Sequence, residues 1–269
     1  MLPILTLLAT TAAYPIVSAA WLQSHLTDPA VHVIYVGESE SYDRAHIPGA
    51  RLLDHMETVQ MGADGHRLAS NDVLIRALSK AGVADGVRVV LYGDSPMATG
   101  WVNTAIASIG HGDDVSWLDG GIAQWQAENR PVEMTKPPAA NGPLTAHPAP
   151  DLIVDAAYVR SRLDSPTTKI LDVRSQPEWD NGHLPNATLI LWQDLFTNPK
   201  TQTFKSRDEI RALLARAGVA PNQEVVTYCA VGMRASLMAW AAKAAGVPAR
   251  VYLGSWQDWS RNAENPIVK

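Results

Sequence analysis

The chain of 269 residues is short of cysteine, with Cys229 alone. One cysteine excludes an intrachain disulfide framework, a CxxC redox pair and any zinc or iron–sulfur site built on several thiolates. It leaves a buried inert thiol or a single reactive one. Charge of one sign is scarce as well: 22 basic and 27 acidic side chains give a net charge of −5, without the basic excess of a nucleic-acid surface. No apolar run approaches the ~20 residues of a transmembrane helix, so no membrane span is expected. The sequence has no P-loop, no GxGxxG run and no clustered His/Cys set, so no metal and no organic cofactor is called for. What it does have is 46 % hydrophobic against 18 % charged residues, which excludes a disordered or collagen-like chain. The length is comfortable for two domains of about 130 residues each.

Leu2–Ala13 is an apolar stretch about as long as a signal-peptide core, with small residues at Thr11 and Ala13 before a cut at Tyr14. Residues 1–13 are therefore read as a candidate signal peptide, implying a periplasmic protein if cleaved and a cytoplasmic one otherwise. The competing reading is an apolar arm lying on the fold. The segment Lys136–Pro150 (KPPAANGPLTAHPAP) resists both helix and sheet and reads as an exposed interdomain linker between domains at 14–135 and 151–269.

The chain is written twice. Shifted by 137 positions, Val17–Ala50 lies on Val154–Ala187 without a gap, and His46-Ile47-Pro48-Gly49 falls on His183-Leu184-Pro185-Asn186. After one residue of slippage Ser70–Tyr92 lies on Ser206–Tyr228, and further slips bring Leu118 onto Leu253 and Trp125 onto Trp259. Each copy carries an amphipathic helix, marked by Leu74, Ala77, Leu78 and Ala81 or by Ile210, Leu213, Leu214 and Ala217, and closed by glycine. Short β-rich runs at Val31–Val36, Val87–Tyr92, Lys169–Val173, Glu224–Tyr228 and Arg250–Leu253 have the character of strands buried in a parallel sheet. Alternating strands and helices predict two tandem α/β domains, each a mostly parallel sheet flanked by helices. An internal pseudo-dimer of this kind is consistent with a monomer.

Cys229 follows the run Val225–Tyr228, and Cys229-Ala230-Val231-Gly232-Met233-Arg234 leads into a helix expected from Ala235 with Leu237, Trp240, Ala241 and Ala244 as its apolar face. The thiol thus lies at the carboxyl end of a parallel strand and before a helix N-terminus, where α/β sheets place their ligand sites. A loop curled around the sulfur aims backbone N–H groups at it, with Gly232 supplying the conformational freedom and Arg234 a cation at the rim. Such a setting favours thiolate.

This loop, followed by Ala235-Ser236, resembles the six-residue active-site loop of rhodaneses. Asp172-Val173-Arg174 with Glu178, Gly182-His183-Leu184-Pro185 and Tyr252-Leu253-Gly254-Ser255-Trp256 are similar to family motifs too. The resemblance spans both halves, from about Val17 to the C-terminus, and points to the tandem-domain sulfurtransferases, whose C-terminal copy bears the cysteine. Gly93 stands where Cys229 stands in the repeat. The resemblance implies Cys229 as catalytic nucleophile, Ala230, Val231, Gly232, Met233 and Arg234 as a persulfide cradle, and Arg234 and Arg174 as substrate-binding cations. Asp172 and Trp256 would be supporting residues. The implied partners are a small anionic sulfur donor, thiosulfate, and a thiol or cyanide acceptor.

Other readings stay open at this point. Mercaptopyruvate-type relatives tend to carry a small Gly-Ser pair where this chain has Ala230-Val231, and the missing hydroxyl counts against that donor. A cysteine phosphatase needs Cys-x5-Arg, one residue more than Cys229 to Arg234 supplies. A non-catalytic sulfur carrier would hold a persulfide without turnover. Arg174 could instead pair with Asp172 or Glu178, and His46 and His183, present in both copies, read as structural. Ser95 has no His base beside it in sequence, so a serine hydrolase is not indicated.

Overall fold

The repeat in the sequence becomes a repeat in space. The computed structural model describes residues 15–62, 65–138, 140, 142–198 and 200–269; the candidate signal peptide lies outside them. The first half runs β1 (Ile16–Val17), α1 (Ala19–His25), β2 (Val31–Val36), α2 (Ser39–Arg44), β3 (Arg51–Leu53), β4 (Val59–Gly62), β5 (Gly65–Leu68), α3 (Asn71–Lys80), β6 (Arg88–Gly93), α4 (Pro96–Ser108), β7 (Val115–Leu118) and α5 (Gly121–Ala127). The second runs β8 (Ile153–Val154), α6 (Ala156–Ser161), β9 (Thr168–Asp172), α7 (Gln176–Asp180), β10 (Thr188–Leu189), β11 (Phe196–Asn198), β12 (Thr203–Phe204), α8 (Arg207–Arg216), β13 (Glu224–Tyr228), α9 (Met233–Ala244), β14 (Ala249–Tyr252) and α10 (Ser255–Trp259). Each half builds a five-stranded parallel sheet, ordered β1-β7-β6-β2-β3 in the first and β8-β14-β13-β9-β10 in the second. These orders are equivalent under the sequence repeat. The two small antiparallel pairs, β4-β5 and β11-β12, also correspond. The chain is two tandem α/β domains.

Local chemistry explains the elements. Strands β6 and β13 are sandwiched between helices, so they read as unbroken apolar runs with almost every residue buried. Ser206 opens α8 with a capping box closed by Glu209, and Gly82 and Gly218, at φ +103 and +82, follow the ends of α3 and α8. Trp125 and Trp259, matched by the repeat, are both fully buried, and their indole N–H groups donate to the carbonyls of Pro131 and Pro266.

One expectation is corrected. Helix α9 starts at Met233, two residues before Ala235, and instead of one apolar face it is buried continuously from Ala235 to Ala242. The reason is α4 of the other half, which packs along it. A Cβ on Gly100 of α4 would lie 2.8 Å from the Leu237 Cα, so only glycine permits this approach. The linker has no helix or strand among its described residues, yet it is not free. The Asp85 N–H donates to the Pro143 carbonyl at 2.9 Å and the His147 N–H to the Ile109 carbonyl at 2.7 Å, pinning it to the first domain. Among the described residues no helix is long and apolar enough to cross a membrane.

One apolar cluster runs through both halves. It contains Trp101, Trp117 and Ile106 of the first with Leu237, Trp240 and Leu253 of the second, and Trp117 stacks on Trp240 at 4.5 Å.

Candidate active site

Strand β13 pairs with β9 on one side and β14 on the other, so its last residue, Tyr228, delivers Cys229 to the centre of the sheet's carboxyl edge. Cys229 is 1 % exposed. Its chain then curls back before α9. Gly232, at φ +96, turns its N–H onto the Cys229 Sγ at 3.1 Å. A Cβ there would sit 2.7 Å from the Leu253 carbonyl oxygen and 3.1 Å from the Trp101 ring. Both the left-handed backbone and the crowding therefore require glycine.

The outside of the curl is tied to α10. The N–H of Trp256 donates to the Cys229 carbonyl at 2.9 Å and that of Gln257 to the Ala230 carbonyl at 3.1 Å. In trans peptides the N–H opposes the carbonyl, so the Ala230 and Val231 N–H groups point away from α10. Ser255 closes the base: its Oγ accepts from the Cys229 N–H at 3.1 Å and donates to the Tyr252 carbonyl at 2.8 Å. The first turn of α9 is fixed in turn, with Ser236 Oγ donating to the Gly232 carbonyl and Thr227 Oγ1 to the Ala235 carbonyl, both at 2.9 Å. Ala230, Val231, Met233 and Arg234, the other members of the loop, are half-buried.

Arg234 is held by Glu178. Its two terminal nitrogens donate to the two carboxylate oxygens at 2.7 and 2.8 Å. The Ser175 N–H and Oγ donate to the same carboxylate at 2.9 and 2.7 Å. The Arg234 bonds, with those of Ser175, hold the Glu178 carboxyl down at about 2. Glu178 foremost, and Cys229 as well, stabilise the charged guanidinium of Arg234.

Arg174 lies elsewhere, and its expected contact with the donor is corrected. It is 2 % exposed, its Nε and terminal nitrogen donating to both Asp172 oxygens at 2.7–3.0 Å and to the Gly182 carbonyl at 2.7 Å. A guanidinium this buried, bound to a carboxylate and a carbonyl, is not presented to an anion arriving from solvent. Asp172, fully buried, also accepts from the Tyr228 hydroxyl at 2.5 Å, and that hydroxyl accepts from the Leu184 N–H at 3.2 Å. Burial first, and Asp172 next, push the Tyr228 hydroxyl far above its ordinary range. Trp256 covers the Arg174 guanidinium at 4.6 Å and reaches the cysteine loop through its backbone N–H. Asp172, through the Tyr228 hydroxyl, and Trp256, through its backbone N–H, thus connect to the cysteine loop, with Arg174 packed against both. His183 stacks on Trp179 and His46 on Tyr42, the structural places expected of them.

The first copy is closed to this chemistry. A Cβ on Gly93, the counterpart of Cys229, would lie 2.0 Å from the Val36 carbonyl oxygen. Tyr35 stands at the place of Asp172, and its hydroxyl donates to Asp94. The first domain nevertheless reaches the second copy's loop through Trp101 at Gly232 and through Gly65 beside Gln257. The reading of the sequence missed three features. These are the Glu178 clamp on Arg234, the role of Ser255 under the thiol, and Trp101. The first two lie in quoted motifs whose pairing spans distant positions; Trp101 has no local signal.

A family model described as Rhodanese-like domain matches residues 18–128 and again 155–262. The chain is 29 % identical to a thiosulfate sulfurtransferase of Azotobacter vinelandii, over 94 % of this chain and 96 % of that one. It is also 29 % identical, with the same coverage, to a Thermus thermophilus protein named Sulfur carrier protein TtuD. Among solved structures it resembles SseA of Escherichia coli, titled a 3-mercaptopyruvate sulfotransferase. That match has a TM-score of 0.80 at 23 % identity and covers 90 % of this chain and 98 % of that one.

Proposed function

The chain belongs to the rhodanese family and is a sulfurtransferase, and on that premise we propose that Cys229 carries the sulfur, taking it from thiosulfate and passing it to cyanide or a thiol. The observation that carries this reading is the Gly232 N–H directed at the Cys229 sulfur within a loop closed by Ser255 and α10. The Cys229 thiolate attacks the outer sulfur of thiosulfate. A new S–S bond forms, the old one breaks, and sulfite leaves with its electron pair. The acceptor then attacks the terminal sulfur of the Cys229 persulfide, forming thiocyanate from cyanide and restoring the thiolate. In the second step the S–S bonding pair returns to the Cys229 sulfur, and a fixed N–H directed at that sulfur in a site shielded from water stabilises the charge it regains. The name of the Azotobacter relative and the absence of a hydroxyl at Val231 support thiosulfate over 3-mercaptopyruvate.

Thiosulfate treatment is expected to add about 32 Da, one sulfur, to Cys229, and cyanide to remove it as thiocyanate. Cys229→Ala should lose both while keeping the wild-type melting temperature. Turnover in that variant would overturn the mechanism. Faster turnover with 3-mercaptopyruvate in parallel kinetics would overturn the donor, and a stable adduct without turnover would establish a carrier instead.

A further inference from the structure

Arg234 is the one basic residue of the six-residue loop that begins at Cys229, and it stands there already bound to a carboxylate. Both terminal nitrogens are engaged by both Glu178 oxygens. The carboxylate is fixed from behind by the Ser175 N–H and hydroxyl, so it cannot swing aside when an anion arrives. The side chains of Arg234 and Glu178 are 18 % and 34 % exposed, which limits screening of the pair by salt and water. Arg174, the other cation expected here, is neutralised by Asp172 out of reach of solvent.

We propose that Glu178 is a positioning and specificity residue, aligning the Arg234 guanidinium beside Cys229 and offsetting its charge, so that the loop presents hydrogen-bond donors to anions without a full positive charge. This rests on the reading that an anionic sulfur donor meets Cys229. A guanidinium has five N–H donors, and a carboxylate holding two leaves three for a ligand. The chemistry gives a reason for restraint. Sulfite must leave after the first displacement, and an anionic or thiol nucleophile must then approach a negative persulfide. An uncompensated arginine would bind donor and sulfite alike, and uniform ground-state binding lowers KM without raising kcat.

The test compares two alkylating reagents of different charge, iodoacetate and iodoacetamide. In both, the Cys229 sulfur forms a C–S bond as iodide leaves with the bonding pair. Glu178→Gln keeps a neutral acceptor for Ser175 and Arg234 but removes the charge. It should raise the iodoacetate-to-iodoacetamide rate ratio about fivefold, an effect that added salt reduces. The KM for thiosulfate should fall by a similar factor and inhibition by sulfite should strengthen, with kcat not rising. Arg234→Gln should lower the ratio, and Glu178→Asp, which restores the charge, should return it towards wild type. A change in access to the buried Cys229 sulfur alters both reagents in the same direction, so the ratio separates the charge of Glu178 from a general loosening of the loop. A ratio in Glu178→Gln equal to wild type would overturn the proposal. The ratio needs no sulfur transfer, so a shifted ratio in a protein that ignores thiosulfate would refute the donor and leave the role of Glu178 standing.

Discussion

Replacing Gly232 by alanine tests the loop where backbone and chemistry meet. The residue lies at φ +96, where an L side chain costs about 1–2 kcal/mol. The new methyl also falls 2.7 Å from the Leu253 carbonyl oxygen and 3.1 Å from the Trp101 ring. Neither neighbour is a flexible chain end, and overpacking of this kind costs about 1–3 kcal/mol. Together these predict a loss of about 2–5 kcal/mol in urea unfolding. The N–H on the Cys229 sulfur, 3.1 Å away, moves with the backbone. A hydrogen bond to a charged group contributes about 1.5–3 kcal/mol, so sulfur loading from thiosulfate should slow by about ten- to a hundredfold. Gly86→Ala is the control. Its φ is +74 and nothing lies within 4 Å of the added Cβ, so it should cost only the conformational strain and leave loading unchanged. Loading and stability in Gly232→Ala that match those of Gly86→Ala would refute the reasoning.

Two further outcomes follow from the charges around the loop. Asp172→Asn should strand the 2 %-exposed Arg174 guanidinium without its counter-charge and destabilise the protein by about 3–5 kcal/mol in denaturant unfolding; a loss under about 1 kcal/mol would show that the pair is not a support. Glu178, held at about 2 against an ordinary 4.5, adds stability that is fully present above pH 4.5 and is lost as pH falls towards 2. Stability measured across that window should fall less steeply in Glu178→Gln than in wild type, and equal slopes would contradict the assignment.

The fold was legible because the repeat and the strand periodicity are local signals read twice. Glu224–Tyr228 and Val31–Val36 were predicted to the residue. What escaped was set by tertiary contact. The continuous burial of α9 has no periodic mark, because α4 covers the face that the pattern assigned to solvent. At the site, strand–loop–helix order located Cys229 and Gly232 but could not distribute partners among charges. Asp172 lies two residues from Arg174 and takes it, whereas Glu178 reaches 56 positions ahead to Arg234. Sequence distance gives no means of choosing between them.

The stacking of Trp117 on Trp240 bears on why the first half persists without a thiol. Two tethered domains with separate interiors could be parted, and the idle one discarded. Here deletion of residues 15–138 would strip the cover from Leu237 and Trp240, on the same helix whose N-terminus shapes the cysteine loop. The copy without a thiol is therefore the other wall of the interior that the cysteine-bearing copy rests on, and the two passes of the sequence share one core.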